Sequence, residues 1–182
     1  SDELKHFGAS MASYGSIPLF HMIGVTPEAQ NYSSKFINQL DEHEITIDDI
    51  LSLKSQFGKK GDKIDVVVFA APQLSIFEMQ KVAELCFEKS FKVPVIICTS
   101  PQVYADALRM KIIDQIEKTG AKVLEGTCFY NQYAREIGLA NGWKRLMSNS
   151  AKIVNILGGY GYEPSLSSMK NCIDSAVAGE IV

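Results

Sequence analysis

The polar residues of this chain that could act on a ligand gather in four short segments, each following an apolar run. They are Gly24-Val25-Thr26-Pro27-Glu28, Thr99-Ser100, Gly126-Thr127-Cys128 and Ser148-Asn149-Ser150-Ala151-Lys152. A Ser or Thr at a helix start leaves backbone N–H groups free to hold carboxylate or phosphate oxygens, and the helix dipole adds to the attraction. Lys152, early in its helix, contributes a positive charge. Taken singly, each segment reads as an ordinary cap. Four at one sheet edge read as an anion site. The phosphate-loop spacing GxxxxGK and the dinucleotide fingerprint GxGxxG are both absent, which argues against a nucleotide-binding domain.

The reactive side chains are less informative by themselves. His21 sits in the apolar run Leu19-Phe20-His21-Met22-Ile23, where a lone histidine is more often packed core than catalyst. There is no GxSxG elbow and no CxxC or HExxH pair. The cysteines Cys86, Cys98, Cys128 and Cys172 are too dispersed for a disulfide framework. Residues 1–8 are polar and charged, unlike a signal peptide, so the expected compartment is the reducing cytoplasm. Cys86 follows the stripe Ile76, Met79 and Ala83 and reads as core; Cys98 lies in an apolar strand. Spacing alone does not make Cys128 or Cys172 a ligand.

The elements that must position these groups follow one rhythm. Strands are predicted at 19–23, 65–69, 93–98, 121–125 and 144–147. Helices are predicted at 2–14, 47–57, 76–90, 102–119, 132–139, 150–157 and 166–178. The runs Val66-Val67-Val68-Phe69 and Val93-Pro94-Val95-Ile96-Ile97 are apolar throughout, as in a sheet covered on both sides. The alternation predicts an α/β fold: a mainly parallel sheet with helices on both faces, linked by right-handed crossovers. Ser75 with Glu78 forms a capping box, Ser100-Pro101 a helix start, and Ser165 the expected cap of the last helix. The polar link Gly58-Lys59-Lys60-Gly61-Asp62-Lys63 divides the first third from the remainder. With 182 residues, 46% apolar and 21% charged, the chain can bury a core. A net charge of −3 with scattered basic residues excludes electrostatic binding of nucleic acid. No apolar run approaches the roughly 18 residues of a membrane span.

Three stretches together resemble the aconitase X family. The first is Gly8-Ala9-Ser10-Met11-Ala12-Ser13-Tyr14-Gly15, continuing through Leu19-Phe20-His21-Met22-Ile23-Gly24-Val25-Thr26-Pro27-Glu28-Ala29. The second comprises Cys98-Thr99-Ser100, Gly120-Ala121-Lys122-Val123 and Thr127-Cys128. The third is Ser148-Asn149-Ser150-Ala151-Lys152, followed by residues 165–172 and Ala176-Val177-Ala178-Gly179. The resemblance implies that residues 1–182 are the C-terminal half of a catalytic domain of an iron–sulfur hydro-lyase. Such enzymes eliminate water from small hydroxy acids such as mevalonate 5-phosphate or cis-3-hydroxyproline. The remaining half of the catalytic unit and a swivelling small domain or subunit are then the expected partners, and the fragment alone is expected to be inactive. Cys128 and Cys172 match the family's cluster-ligand positions, for a [4Fe–4S] or [2Fe–2S] cluster whose third ligand lies outside this chain. The two sulfurs should then converge at one rim of the sheet. Ser13, His21, Thr26, Thr99, Ser100, Asn149, Ser150 and Lys152 match segments expected to hold the substrate's oxygens. The catalytic base is expected on the swivelling domain.

The chain departs from the family pattern at Ala70-Ala71-Pro72-Gln73, where relatives carry a Gly-Thr-Pro-His-like turn, and at Pro101, where many carry Arg. Loss of a guanidinium removes a fork suited to carboxylate. The competing reading is a non-catalytic α/β module that binds anions or small molecules and has lost the metal.

Overall fold

The computed structural model describes residues 2–32 and 34–182. Strands β1 (Val66–Leu74), β2 (Val95–Thr99), β3 (Lys122–Glu125), β4 (Arg145–Ser148) and β5 (Glu163–Leu166) form one sheet. Its order is β3-β2-β1-β4-β5, and all neighbours run parallel. Helices α1 (Asp2–Gly15), α2 (Ser34–Ile37) and α3 (Ile47–Lys54) precede the sheet. The crossovers carry α4 (Ile76–Leu85), then α5 (Pro101–Arg109) with α6 (Ile112–Glu117), then α7 (Ala134–Asn141), then α8 (Ala151–Gly158). The chain closes with α9 (Met169–Ala178).

The unbroken apolar run of β1 is explained by its two covered faces. Val67 and Phe69 face a layer built from Met79 and Val82 of α4, Ile113 and Ile116 of α6, and Ile173 of α9. Val66, Val68 and Ala70 face the opposite layer, where Ile153 and Leu157 of α8 pack with Phe129. Val66, Val67, Val68 and Phe69 are all completely inaccessible. Each such side chain contributes about 1.5–3 kcal/mol relative to exposure. Capping fixes where helices begin: the predicted Ser75–Glu78 box is present in full, and Ser100 and Ser150 accept from Val103 N–H and Ile153 N–H.

Three expectations are corrected. Residues 19–23 form no strand; Leu19 and Ile23 are each 69% exposed, and no neighbouring strand pairs with them among the described residues. The helix expected over 102–119 is divided, because Lys111 takes a left-handed φ of 62° and turns the apolar face of α6 into the core. The start of the expected helix 166–178 belongs instead to β5, and the helix cap is Ser168, not Ser165. Glu163-Pro164-Ser165-Leu166 has little strand character, and Pro164 is tolerated because β5 is an edge strand.

The order places sequence-distant β1 and β4 side by side, with the chain progressing outward in opposite directions from them. A crevice at the carboxyl ends of such a pair is where open parallel sheets bind ligands.

Candidate functional site

At the carboxyl ends of β1 and β4 the backbone is tied by buried hydroxyls. Ser150 Oγ donates to the Ala71 carbonyl at 2.6 Å and accepts from Ile153 N–H at 3.2 Å. Ser148 Oγ accepts from Ser150 N–H at 3.1 Å. One strand over, Thr99 Oγ1 donates to the Leu74 carbonyl at 2.7 Å, and Gln73 Nε2 donates to the Thr127 carbonyl at 2.8 Å. These bonds tie the turns after β3 and β4 and the end of β2 to the carboxyl-terminal part of β1 as one rim. Gly126, at φ +66°, lets the loop after β3 turn inward against Pro101; a Cβ there would meet the proline ring at 3.2 Å.

Cys128 is delivered to this rim. Burial pushes its thiol up, while backbone N–H groups of Tyr130, Phe129 and Ala71 and the charge of Lys152 favour the thiolate. The carbonyl of Ala71 is held from the other side of the crevice by Ser150. Cys98 lies in the same apolar layer as Cys128, and burial together with that neighbour pushes its thiol up to about 12.

Cys172 is elsewhere. It belongs to the layer of Val67, Phe69 and Met147, on the opposite side of the sheet from Cys128, and is 0% exposed. Its nearest polar partner is the Ser167 carbonyl at 3.9 Å, and burial pushes its thiol far up. The expected convergence of Cys128 and Cys172 is therefore corrected. A cluster cannot bridge two thiols separated by a packed sheet, and no group of three metal-ligating side chains occurs among the described residues. An iron–sulfur cluster shared by this pair does not fit the donor set.

The other expected site residues divide into two groups. Thr99, Ser100, Asn149, Ser150 and Lys152 surround the crevice at the ends of β2 and β4. Asn149 Oδ1 is buried without a hydrogen-bond partner among the described residues. Ser13, His21 and Thr26 are engaged within the protein, Ser13 by a distant helix and the other two by near neighbours in sequence. Asn155 Nδ2 donates to both the Oγ and the carbonyl of Ser13 at 2.9 Å, tying α1 to α8. His21 pairs its Nε2 with the Tyr32 hydroxyl at 3.0 Å and lines a cavity whose walls all lie within residues 21–40. Thr26 Oγ1 accepts from Met22 N–H at 2.9 Å and closes its own turn.

Sequence reasoning missed the group that anchors α1. Glu78, 7% exposed, receives His6 Nε2 at 2.8 Å, the Lys5 ammonium and, at 2.8 Å, the Ser75 N–H. Burial alone would raise its carboxyl; the bonds from His6, Lys5 and Ser75 and the Lys5 charge outweigh it and hold the group at about 2. The capping-box signal marked Glu78, but nothing in the spacing linked it to residues 5 and 6. His6 and Glu78 line a cleft of about 650 Å³ that reaches Asn149.

The family model described as aconitase X third domain matches residues 64–178, and the one described as aconitase X second domain matches residues 1–53. The cis-3-hydroxy-L-proline dehydratase of Pseudomonas aeruginosa is 29% identical across 98% of the chain, which is 31% of its own length. The phosphomevalonate dehydratase large subunit of Methanosarcina mazei is 31% identical across 98% of the chain, 42% of its own length. The crystal structure of holo aconitase X from Thermococcus kodakaraensis aligns with a TM-score of 0.77 at 26% identity, covering 96% of this chain and 44% of that one. The chain thus spans less than half the length of these relatives.

Proposed function

The chain belongs to the aconitase X family, and from that premise we propose that it forms part of the catalytic unit of a hydro-lyase that eliminates water from a small hydroxy acid. Relatives named as dehydratases of cis-3-hydroxy-L-proline and of phosphomevalonate support the reaction class. The observation that carries the reading is the juxtaposition at the β1–β4 crevice: the start of α8, with Lys152, stands beside Cys128.

Within this reading the residues have separate tasks. Ser148, Ser150 and Thr99 hold the rim through buried bonds. Lys152 and the free N–H groups at the start of α8 take the carboxylate of the acid, as a helix N-terminus favours an anion. Ser100 and the start of α5 form a second such end. Ser13, His21 and Thr26, already hydrogen-bonded within the chain, are left out of the substrate contacts. Cys128 is the thiol assigned to the rim as a metal ligand; Cys172 is assigned to packing. The proton-abstracting base and the other metal ligands belong to the partners of this chain, a further catalytic segment and a small subunit or domain. The designation of several relatives as large subunits supports such a partner.

The test is steady-state dehydration by the complete enzyme containing this chain, with Lys152→Met. Loss of one charge-assisted contact predicts a KM for the hydroxy acid raised roughly tenfold or more. An unchanged KM and kcat would overturn the assignment of the carboxylate to this helix end.

A further inference from the structure

The carboxyl-terminal part of β1 carries a side chain that the dehydratase reading leaves without a task. The five steps from Phe69 to Leu74 face only the two from Ile97 to Thr99, so residues 70–73 bulge out of the ladder. Such a bulge re-aims a side chain beside a site. Here it frees Gln73, whose Nε2 donates at 2.8 Å to the Thr127 carbonyl in the loop after β3. The bond spans the end of β2, which lies between β1 and β3 in the sheet. The Thr127 carbonyl belongs to the peptide unit that continues into Cys128. Peptide units are planar and stiff, so holding this oxygen fixes the plane from which Cys128 departs.

Gln73 is itself held. Its main-chain carbonyl accepts from the Lys5 ammonium at 2.9 Å. Lys5 also pairs with Glu78 and, at 3.4 Å, with Asp2, which in turn accepts from Ser75 Oγ at 2.9 Å. The start of α1 is thereby seated on residues 73–78, by charge-assisted bonds roughly twice as strong as neutral ones. The next carbonyl, that of Leu74, is taken by Thr99 Oγ1. The backbone from which the Gln73 side chain reaches out is therefore fixed. The loop's own closures do not replace it. Gly126 N–H donates to the Thr99 carbonyl at 2.8 Å, ahead of Thr127, and Asn131 N–H donates to the Cys128 carbonyl at 2.9 Å, turning the loop on itself. Neither ties the Thr127–Cys128 peptide to β1.

We propose that Gln73 is a positioning residue, which sets the place of Cys128 at the rim from a seat that Lys5 of α1 provides. Its bearing on catalysis rests on the dehydratase reading. The carboxylate end is anchored separately, because Ser150 ties the start of α8 to Ala71. Loss of the Gln73 donor therefore misplaces Cys128 without disturbing Lys152, and changes kcat rather than KM.

Two variants of the complete enzyme test it. Gln73→Met keeps the length of the side chain and removes the donor; Gln73→Asn keeps the amide and shortens its reach. Each is followed by hydrogen–deuterium exchange of peptides spanning 126–132 and by steady-state water elimination. Both are expected to exchange several-fold faster in 126–132 with 151–158 unchanged, and to lose kcat roughly tenfold or more at an unaltered KM. Unchanged exchange in 126–132 overturns the tether, and an unchanged kcat overturns the positioning role. A KM that rises in step also overturns it, since Gln73 would then meet the substrate. A parent enzyme that eliminates no water would sink the dehydratase reading instead, and exchange alone then decides whether Gln73 sets the place of Cys128.

Discussion

Ser150 Oγ donates a 2.6 Å hydrogen bond to the carbonyl of Ala71, across the point where the strand order of the sheet reverses. The two residues lie 79 positions apart, and both are buried. The bond joins the turn that presents Lys152 to the carboxyl-terminal part of β1. It also leaves Ser150 with a second task, because the same oxygen caps α8.

Ser150→Ala removes both interactions at once. A lost cap costs about 1 kcal/mol and a buried carbonyl left unpaired about 1–3 kcal/mol. The expected outcome is a fall of roughly 2–4 kcal/mol in unfolding free energy by urea titration. A loss no larger than that of an exposed cap would show that the bond to Ala71 adds nothing.

Glu78 predicts a pH dependence. Its carboxyl is held at about 2 in the folded chain, below its ordinary 4.5, so folding favours the ionised form. The stabilisation is fully present above about pH 4.5 and is lost as the pH falls toward 2. The urea midpoint should therefore drop between neutral pH and about pH 3, and Glu78→Gln should lower it at neutral pH while flattening its acid limb. A variant whose acid limb matches the parent chain would place the titrating group elsewhere.

Cys172 separates packing from ligation. In its apolar layer, Cys172→Ser inserts a hydroxyl with only a distant carbonyl to bond, at an expected cost of about 1–3 kcal/mol. Cys172→Ala loses only the thiol's packing and should be the milder change. Equal unfolding free energies for the two variants would contradict the apolar character of the site.

These contrasts show what could be read from the residues and what could not. The parallel sheet was legible because Val66-Val67-Val68-Phe69 is apolar on both faces, and the helix starts because Ser75, Ser100 and Ser150 carry cap chemistry. Strand β5 was not, since Glu163-Pro164-Ser165-Leu166 pairs through its backbone at an edge and has no alternation to display. Leu19-Phe20-His21-Met22-Ile23 looked like a strand because apolar content says nothing about whether a neighbour exists to pair with it. At the site, Asn149, Ser150 and Lys152 stood out as helix-start residues. The face to which Cys172 points depends on the rotation of α9 over the sheet, and the His6–Glu78 contact joins residues 72 apart; neither leaves a local trace.

The central claim is that the β1–β4 rim, with Cys128 and without Cys172, is the working edge of this chain. Its most direct test is the rate of water elimination by the complete enzyme carrying either Cys128→Ser or Cys172→Ala, each normalised to folded protein. The account predicts that Cys128→Ser abolishes turnover and that Cys172→Ala retains it. Turnover that survives the loss of Cys128, or vanishes with Cys172 in a folded enzyme, would contradict it.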